Sequence, residues 1–237
     1  MSSTSDQPER VQVRCILLGA SAVGKSTFLK KLTNSGAGTS ASGASDYSMT
    51  SRVEVHSKSY VQPGNGNGRL QIEVCFLDTP GRAPYQALVE GVCRRTTAAG
   101  KCLIVALFDV TNRASMTPLE GLITWLNKQQ QQQLSNNGKT TAAAAATEGV
   151  LVGNKIDLVD KRIVSPAEGQ QKAKMFKLRY FECSALNDIA IQDFDQLIVD
   201  MVQTMLAPPA DIAERSGGQN GGGGGVPAPV SALKSID

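Results

Sequence analysis

Histidine, the side chain that enzymes use most often for proton transfer, is scarce in this sequence. Its only histidine among 237 residues is His56, which lies in a strand-like run with no metal-ligand spacing of cysteine or acidic residues around it. A histidine on the face of a sheet is therefore expected rather than a catalytic one. Because no carboxylate is in view to orient His56, the pattern also gives no support to Ser/His/Asp nucleophilic chemistry.

Long hydrophobic runs are missing as well. No apolar run is long enough to cross a bilayer, and the first ten residues are polar without the apolar core of a signal peptide. The last residues, Ser-Ile-Asp, follow a tail without cysteine, so no prenylation box is present. We therefore expect a soluble, cytoplasmic protein with no lipid anchor of its own.

Neither charge nor cysteine points to a nucleic-acid or metal-binding protein. The net charge is only +3, and the basic residues Lys172, Lys174, Lys177 and Arg179 are spread along one predicted helix and the next strand. A solvated helix face explains them, so no nucleic-acid partner is expected. The five cysteines form no metal-type pairs and are expected to be reduced, mostly buried thiols: Cys15, Cys75, Cys93, Cys102 and Cys183.

Apolar strand-like runs alternate with helix-like segments along most of the chain. This alternation predicts an α/β fold with a doubly wound, mostly parallel six-stranded sheet. The turn-forming residues 63–68 join two strands without a helix, so one antiparallel edge strand is expected. The predicted strands are 11–18, 53–61, 70–77, 102–109, 150–152 and 180–183, and the predicted helices are 25–32, 85–97, 116–128, 166–178 and 191–205.

Low-complexity composition sets the predicted domain limits. Residues 11–206 form one domain, between a disordered N-terminus at 1–10 and a disordered Gly/Pro-rich tail at 207–237. Within the domain, residues 34–45 are rich in small polar residues. A glutamine and alanine tract at 129–147 is interpreted as an inserted loop, although its alanines could prolong a helix.

A phosphate-binding loop follows the first strand and opens the first helix. A tight glycine turn that feeds a helix start directs several unpaired backbone N–H groups at one anion. Lys25 is then expected to reach the outer phosphates, and Ser26 to offer its hydroxyl to Mg²⁺. The predicted phosphate-binding residues are Gly19, Ser21, Ala22, Val23, Gly24, Lys25, Ser26 and Thr27.

A carboxylate follows the third strand, in the run Asp78-Thr79-Pro80-Gly81. In an open α/β sheet, ligands bind at the carboxyl ends of the strands. Asp78 is expected to hold a water of the Mg²⁺ shell, with Ser26, two phosphate oxygens and one further hydroxyl completing an oxygen-only set. The backbone N–H of Gly81 is expected to meet a terminal phosphate.

Two further motifs predict the base. Asn154-Lys155-Ile156-Asp157 follows the fifth strand, where Asp157 can accept both adjacent donors of guanine; adenine offers no such pair. Lys155 is expected to lie over the base, and Asn154 to tie this loop to the phosphate loop. After the last strand, Ser184 and Ala185 place a backbone N–H where it can meet the guanine carbonyl. The order and spacing of the motifs favour GTP over ATP.

These residues resemble the Ras-like small GTPases over 11–206. Phe108-Asp109-Val110-Thr111-Asn112, followed by Ser115 and Trp125-Leu126, is similar to the Rab branch. Residues 46–55 and 149–155 are similar to a divergent Rab-like branch, the Rab-like 4 type GTPase subunit of the intraflagellar transport B complex. The resemblance implies that Thr50 binds Mg²⁺ and the γ-phosphate, and that Tyr47 covers the phosphates.

The same resemblance implies a cellular setting. It suggests a stable heterodimer with a small jelly-roll subunit, association with the larger transport complex, and a location in the cytoplasm, the cilium or flagellum and its base. Two other functions remain open, a scaffold whose nucleotide is structural or lost and a vesicle-trafficking Rab without a prenyl group. A P-loop kinase would leave Asp157 unexplained.

The sequence departs from the family pattern at Pro80 and Arg52 and, with the consequences that follow, at Arg82, Ala22 and Leu186. Arg82 stands where these proteins have the glutamine that orients the attacking water, and arginine cannot accept a hydrogen bond from that water, so slow hydrolysis is expected. Arg82 could instead act as an arginine finger in cis, or simply face solvent. Ala22 adds a β-carbon to the phosphate loop, and Leu186 replaces the usual lysine after Ala185. Catalysis would then rest on positioning and charge neutralisation by Lys25, Mg²⁺ and backbone donors.

Overall fold

A computed structural model of the chain describes residues 9–34, 49–63, 68–136 and 147–206, all within one unit, Met1–Ala207. The strands are β1 (Glu9–Leu18), β2 (Glu54–Pro63), β3 (Arg69–Asp78), β4 (Cys102–Asp109), β5 (Thr147–Asn154) and β6 (Arg179–Cys183). The helices are α1 (Lys25–Asn34), α2 (Gln86–Ala98), α3 (Thr117–Asn136), α4 (Pro166–Phe176) and α5 (Ile191–Leu206), with short 3₁₀ turns at Ala83–Tyr85, Arg113–Met116 and Val159–Lys161.

The sheet confirms the predicted fold class. Its six strands lie in the order β2-β3-β1-β4-β5-β6, and every neighbouring pair is parallel except β2 with β3. The β2–β3 pair is antiparallel from Glu54↔Asp78 to Pro63↔Arg69, as a hairpin requires. The turn itself, at 64–67, lies outside the described residues. The carboxyl ends of the five parallel strands therefore meet at one edge, where the predicted motifs begin.

Two apolar layers cover the sheet. On one face, α1 and α5 pack on β1, β3, β4 and β5, and Phe28 meets Phe194 edge to face with the ring centroids 4.8 Å apart. On the other face, α2, α3 and α4 pack against alternate residues of β1, β4 and β5. Strand β4 is buried along its whole length because it lies between both layers. No helix in the described ranges is long and apolar enough to span a membrane.

Several predicted boundaries are corrected by the structure. Strand β1 begins at Glu9, so Glu9 and Arg10 do not belong to a disordered N-terminus. Helix α3 runs to Asn136, so the glutamines from 129 onward continue the helix instead of starting a loop; their long unbranched side chains favour helix. Helix α4 ends at Phe176 because Lys177 adopts a left-handed conformation, φ 59°. The expectations for residues 1–8, 35–48, 137–146 and 207–237 lie outside the described residues.

The cysteines follow their expected pattern. All five are free thiols, and four of them are buried, with Cys75 half-buried. Burial raises the pKa of Cys93, Cys102 and Cys183 to about 12, so these thiols stay protonated at neutral pH.

Two helical glycines differ in the space around them, so replacing each with alanine should change stability in opposite directions. A β-carbon at Gly169 of α4 would lie 2.5 Å from the ring of Tyr180, whose hydroxyl is held by Glu182, whereas one at Gly121 of α3 would meet nothing within 4 Å. Gly169→Ala should lower the free energy of unfolding by about 1–3 kcal/mol through overpacking. Gly121→Ala should raise it by about 0.5–1 kcal/mol through helix propensity. Chemical unfolding measures both, and equal effects would contradict this packing.

Candidate functional site

A cavity of about 550 Å³ opens at the carboxyl edge of the sheet. It is formed by the loop between β1 and α1, the residues before β2, the loop after β3, and the loops after β5 and β6. Most of the predicted site residues line it: Ser21, Ala22, Gly24, Lys25, Ser26, Thr27, Thr50, Gly81, Asn154, Lys155, Asp157, Ala185 and Leu186. Lys30, Met49 and Leu158 also line it and were not predicted.

Two glycines let the loops approach one another. Gly24 has φ 97°, and a β-carbon there would collide with the amide nitrogen of Asn154. At Gly81 a β-carbon would lie 2.6 Å from Nζ of Lys25 and equally close to the backbone of Ala20. Only glycine fits these contacts, so the phosphate loop packs directly against the loops that follow β3 and β5.

Ala22 adopts the strained conformation that its position demands. Its φ is 64°, in the left-handed region where a β-carbon costs about 1–2 kcal/mol. The sequence predicted this cost only if residue 22 needs a positive φ, and the structure shows a positive φ there. Ala22 itself is exposed and is one of the residues that line the cavity.

Lys25 provides a buried cation at the base of the cavity. Lys25 is only 6 % exposed, and its Nζ donates to the carbonyl oxygens of Gly19 and Ala20, both at 2.9 Å. Burial lowers the pKa of Lys25 to about 8, while the nearby Asp78 acts in the opposite direction. The ammonium has three donors, so one remains for an anion in the cavity.

Ser26, Thr50 and Asp78 bring three oxygen-bearing side chains together. Ser26 Oγ lies 2.5 Å from Asp78 Oδ2 and 3.1 Å from Thr50 Oγ1. The other carboxylate oxygen, Asp78 Oδ1, is buried and has no hydrogen-bond partner in the described part of the chain. Burial raises the pKa of Asp78, against the opposing effects of Ser26 and Lys25.

An oxygen-only set with one orphaned carboxylate oxygen fits a hard cation such as Mg²⁺. The described ranges hold no group of three His, Cys, Asp or Glu side chains that could bind a metal. A magnesium site here would therefore combine Asp78 with the hydroxyls of Ser26 and Thr50 and with oxygens of a ligand.

Asn154 connects three loops of the site. Its Nδ2 donates to the carbonyl oxygen of Val23 at 2.9 Å, which joins the phosphate loop to the loop after β5. Its Oδ1 accepts the backbone N–H of Ala185 at 3.0 Å, which adds the loop after β6. The backbone N–H of Ala185 thus has Asn154 as its acceptor in this structure, and its contact with a guanine carbonyl stays a prediction.

Lys155 is held by a residue whose role the sequence did not reveal. It adopts φ 70°, and its Nζ lies 2.7 Å from Oδ2 of Asp109, the last residue of β4. Asp109 is 7 % exposed and accepts two further bonds from Thr111. Burial acts to raise the pKa of Asp109, but the bonds from Lys155 and Thr111 outweigh it and leave that pKa lowered. Asp109 thus remains charged and orients Lys155 along the cavity wall.

Asp157 lines the far end of the cavity, and Ser184 supports it from behind. Ser184 is fully buried, and its hydroxyl donates to Oδ1 of Asp157 while accepting the backbone N–H of Asn187. The bond from Ser184 fixes the direction of the Asp157 carboxylate, and both carboxylate oxygens keep lone pairs for a ligand. Leu186 is exposed beside it and, with Leu158, gives this end of the cavity an apolar rim.

Not every predicted residue lies on the cavity wall. Gly19, Val23, Asp78 and Ser184 support it from behind through the contacts above. Arg82 is exposed, places Nη1 3.4 Å from the sulfur of Met49, and lines a neighbouring cavity of about 540 Å³. Tyr47 lies outside the described residues.

Comparison with known proteins gives a consistent result. Residues 14–205 match the model of the Ras family. The chain is 28 % identical to the Ras-related protein RABC1 of Arabidopsis thaliana over 220 residues, which cover 92 % of this chain and 89 % of that protein. It is 23 % identical to the human Ras-related protein Rab-3A, with 89 % and 83 % covered, and 25 % identical to the Ras-related protein RabC of Dictyostelium discoideum, with 83 % and 87 % covered.

The lowered pKa of Lys25 predicts how binding of a nucleoside diphosphate depends on pH. The charged form of Lys25 binds phosphate, so the affinity for the nucleotide should be constant at neutral pH. As the pH rises through about 8, Lys25 loses its proton and the affinity should fall, at most by about tenfold for each pH unit. Isothermal titration across this range measures it.

Lys25→Arg is the matched control because guanidinium stays charged throughout. The variant should bind more weakly but lose the pH dependence that Lys25 causes. A fall in affinity of the same steepness in both proteins would show that another group titrates.

Proposed function

Because the chain belongs to the Ras family of small GTPases, we propose that its cavity binds GTP and GDP with Mg²⁺ and that the protein is a Rab-like switch. One observation carries this proposal. The buried cation Lys25 and the carboxylate Asp157 line the same cavity, and Asn154 joins the loops that hold them. Lys25 suits the phosphates, and Asp157 suits the two adjacent donors of guanine, which adenine lacks.

Each part of the site has a defined task in this proposal. Lys25 and the backbone of the phosphate loop hold the β- and γ-phosphates, and Gly81 leaves room for the terminal phosphate to approach. Ser26, Thr50 and Asp78 would hold Mg²⁺, which neutralises phosphate charge when it is bound. Lys155, fixed by Asp109, lies along the base. Thr50 precedes the edge strand β2, so a contact made only with the γ-phosphate would report which nucleotide is present.

Hydrolysis is proposed to be slow. Arg82 follows Gly81, where a water-orienting residue would be needed, but its guanidinium has no acceptor for the proton of an attacking water. Its side chain is exposed and contacts Met49 instead of lining the cavity. The site thus holds the groups that bind and neutralise phosphate, and no side chain among its described residues is placed to orient water.

Asp157→Asn should exchange the base that the site accepts. Asparagine offers one acceptor and one donor, a pattern that matches xanthine and leaves one guanine donor unpaired. Affinity for GDP should fall by about 100-fold or more while affinity for xanthosine diphosphate rises. Titration of both nucleotides, with ADP as a third ligand, measures the change.

Asp160→Asn is the matched control, since this exposed carboxylate on the turn after Leu158 makes the same change of charge outside the cavity. It should leave both affinities unchanged. Unaltered GDP binding by Asp157→Asn would contradict the assignment of the base pocket.

Arg82→Gln should accelerate GTP hydrolysis, because the glutamine amide can accept a hydrogen bond from water. We expect about a tenfold or larger rise in the single-turnover rate. Arg95→Gln, at an exposed position of α2, is the control for the change of charge.

Arg82→Ala separates the two roles of the arginine. If Arg82 acted as an arginine finger in cis, both Arg82→Gln and Arg82→Ala would hydrolyse GTP more slowly than the natural chain. If Arg82 only faces solvent, Arg82→Ala should match the natural rate. An unchanged rate in Arg82→Gln would contradict the argument for slow hydrolysis.

We further propose that this switch is the Rab-like subunit of the intraflagellar transport machinery, acting in the cytoplasm and in the cilium or flagellum and its base. The similarity of residues 46–55 and 149–155 to that branch supports the proposal. A stable heterodimer with a small jelly-roll subunit is part of it. Purification of the tagged full chain from ciliated or flagellated cells should yield this partner in equal amount, whereas a chain that copurifies with vesicles alone would favour a trafficking role.

A further inference from the structure

The outer edge of the sheet is a long strand with one side unpaired. Strand β2 has ten residues, and all of them pair with β3 on one side. No strand among the described residues pairs with its other side. Such an edge presents a row of backbone N–H and C=O groups that can pair with another chain.

The exposed face of β2 has an apolar and symmetric pattern. Alternate residues are exposed: Val55, Ser57, Ser59 and Val61 lie symmetrically about Lys58, and Pro63 ends the row. Both valines are 63 % exposed, which is high for β-branched side chains in a strand. The pattern is the same in both directions about Lys58, so it is complementary to itself in an antiparallel pair.

The one charged residue in the middle of β2 does not protect the edge. Edge strands are commonly guarded by a lysine that projects into solvent. Here the Lys58 side chain is 16 % exposed, and its Nζ bonds both carboxylate oxygens of Asp195 and the carbonyl oxygen of Leu32. Tyr60 also donates to Asp195 at 2.8 Å. The ammonium is thus turned toward α1 and α5 and neutralised there.

We propose that two copies of this chain pair through β2, antiparallel, about a two-fold axis at Lys58. Val55 of each copy then lies opposite the partner's Val61, and Ser57 opposite the partner's Ser59. The paired valines would bury apolar surface against each other, and the paired serine hydroxyls can hydrogen-bond. The two lysines at the axis are like charges, but each is already compensated by Asp195 of its own chain.

The pattern of valines and serines on β2 favours the axis at Lys58 over other registers, and it favours a second copy of the chain as the partner. Moving the axis by one residue to Ser59 would place Val61 opposite the partner's Ser57 and leave Val55 opposite the partner's Pro63. Only the axis at Lys58 matches both valines. A two-fold interface uses the same surface on both copies and therefore requires self-complementarity, which a partner of different sequence does not. The observations thus favour a second copy over a foreign strand.

Charged substitutions at Val55 and Val61 test both the interface and its register. The two positions are far apart on one strand but opposite each other across the proposed interface. Val55→Lys/Val61→Lys and Val55→Glu/Val61→Glu each place like charges together, so each should weaken dimerisation by about tenfold or more. Val55→Glu/Val61→Lys places opposite charges together and should dimerise. Sedimentation of the full chain over a wide range of concentration measures this.

Mixing the two like-charged variants tests the register most directly. The double-lysine and double-glutamate variants should be monomeric alone and form a one-to-one dimer together. Met175→Lys on α4, where the methionine is 66 % exposed, is the control and should dimerise like the natural chain. Thermal unfolding and GDP binding check that each variant is folded.

Three outcomes would overturn the proposal. The natural chain could be monomeric at every concentration, which includes the case of an edge that serves a different protein. The double-lysine variant could dimerise as well as the natural chain, which would place the interface elsewhere. The double-lysine and double-glutamate variants could fail to associate, which would exclude this register.

Discussion

The amide side chain of Asn154 is the contact on which the candidate site depends. One amide bonds the phosphate loop through Val23 and the loop after β6 through Ala185, and its own backbone ends β5. Because Gly24 has no β-carbon, the amide can lie directly against the phosphate loop. Asn154 thereby sets the distance between the end of the cavity suited to phosphate and the end suited to a base.

The electrostatics of the site are unbalanced in a way that suits a charged ligand. Lys25 is buried with a lowered pKa, and Asp78 is buried with a raised pKa and an orphaned oxygen. Both charges lose hydration when the protein folds, and among the described residues neither has an ion-pair partner. A polyphosphate with a hard cation, as in the proposed function, would supply the missing charge to both Lys25 and Asp78.

The sequence predicted the sheet because alternating strands and helices and a turn-rich hairpin leave few topologies. It predicted which loops meet because the motifs follow strands whose carboxyl ends share one edge. It could not predict the Lys155–Asp109 contact, since this depends on a left-handed Lys155 and on the register of β4 with β5. The acceptor of the Ala185 N–H likewise depends on which way the Asn154 amide points. The helical glutamines of α3 were hidden by a composition that is common in loops.

The proposed function requires that the cavity binds a guanine nucleotide. The most direct measurement is to denature the full chain after purification in Mg²⁺ and identify the nucleotide released by chromatography. GDP or GTP in nearly equal amount to protein is the predicted result, and a substantial share of GTP would agree with slow hydrolysis. Release of an adenine nucleotide, or no release together with no GDP binding in calorimetry, would contradict it.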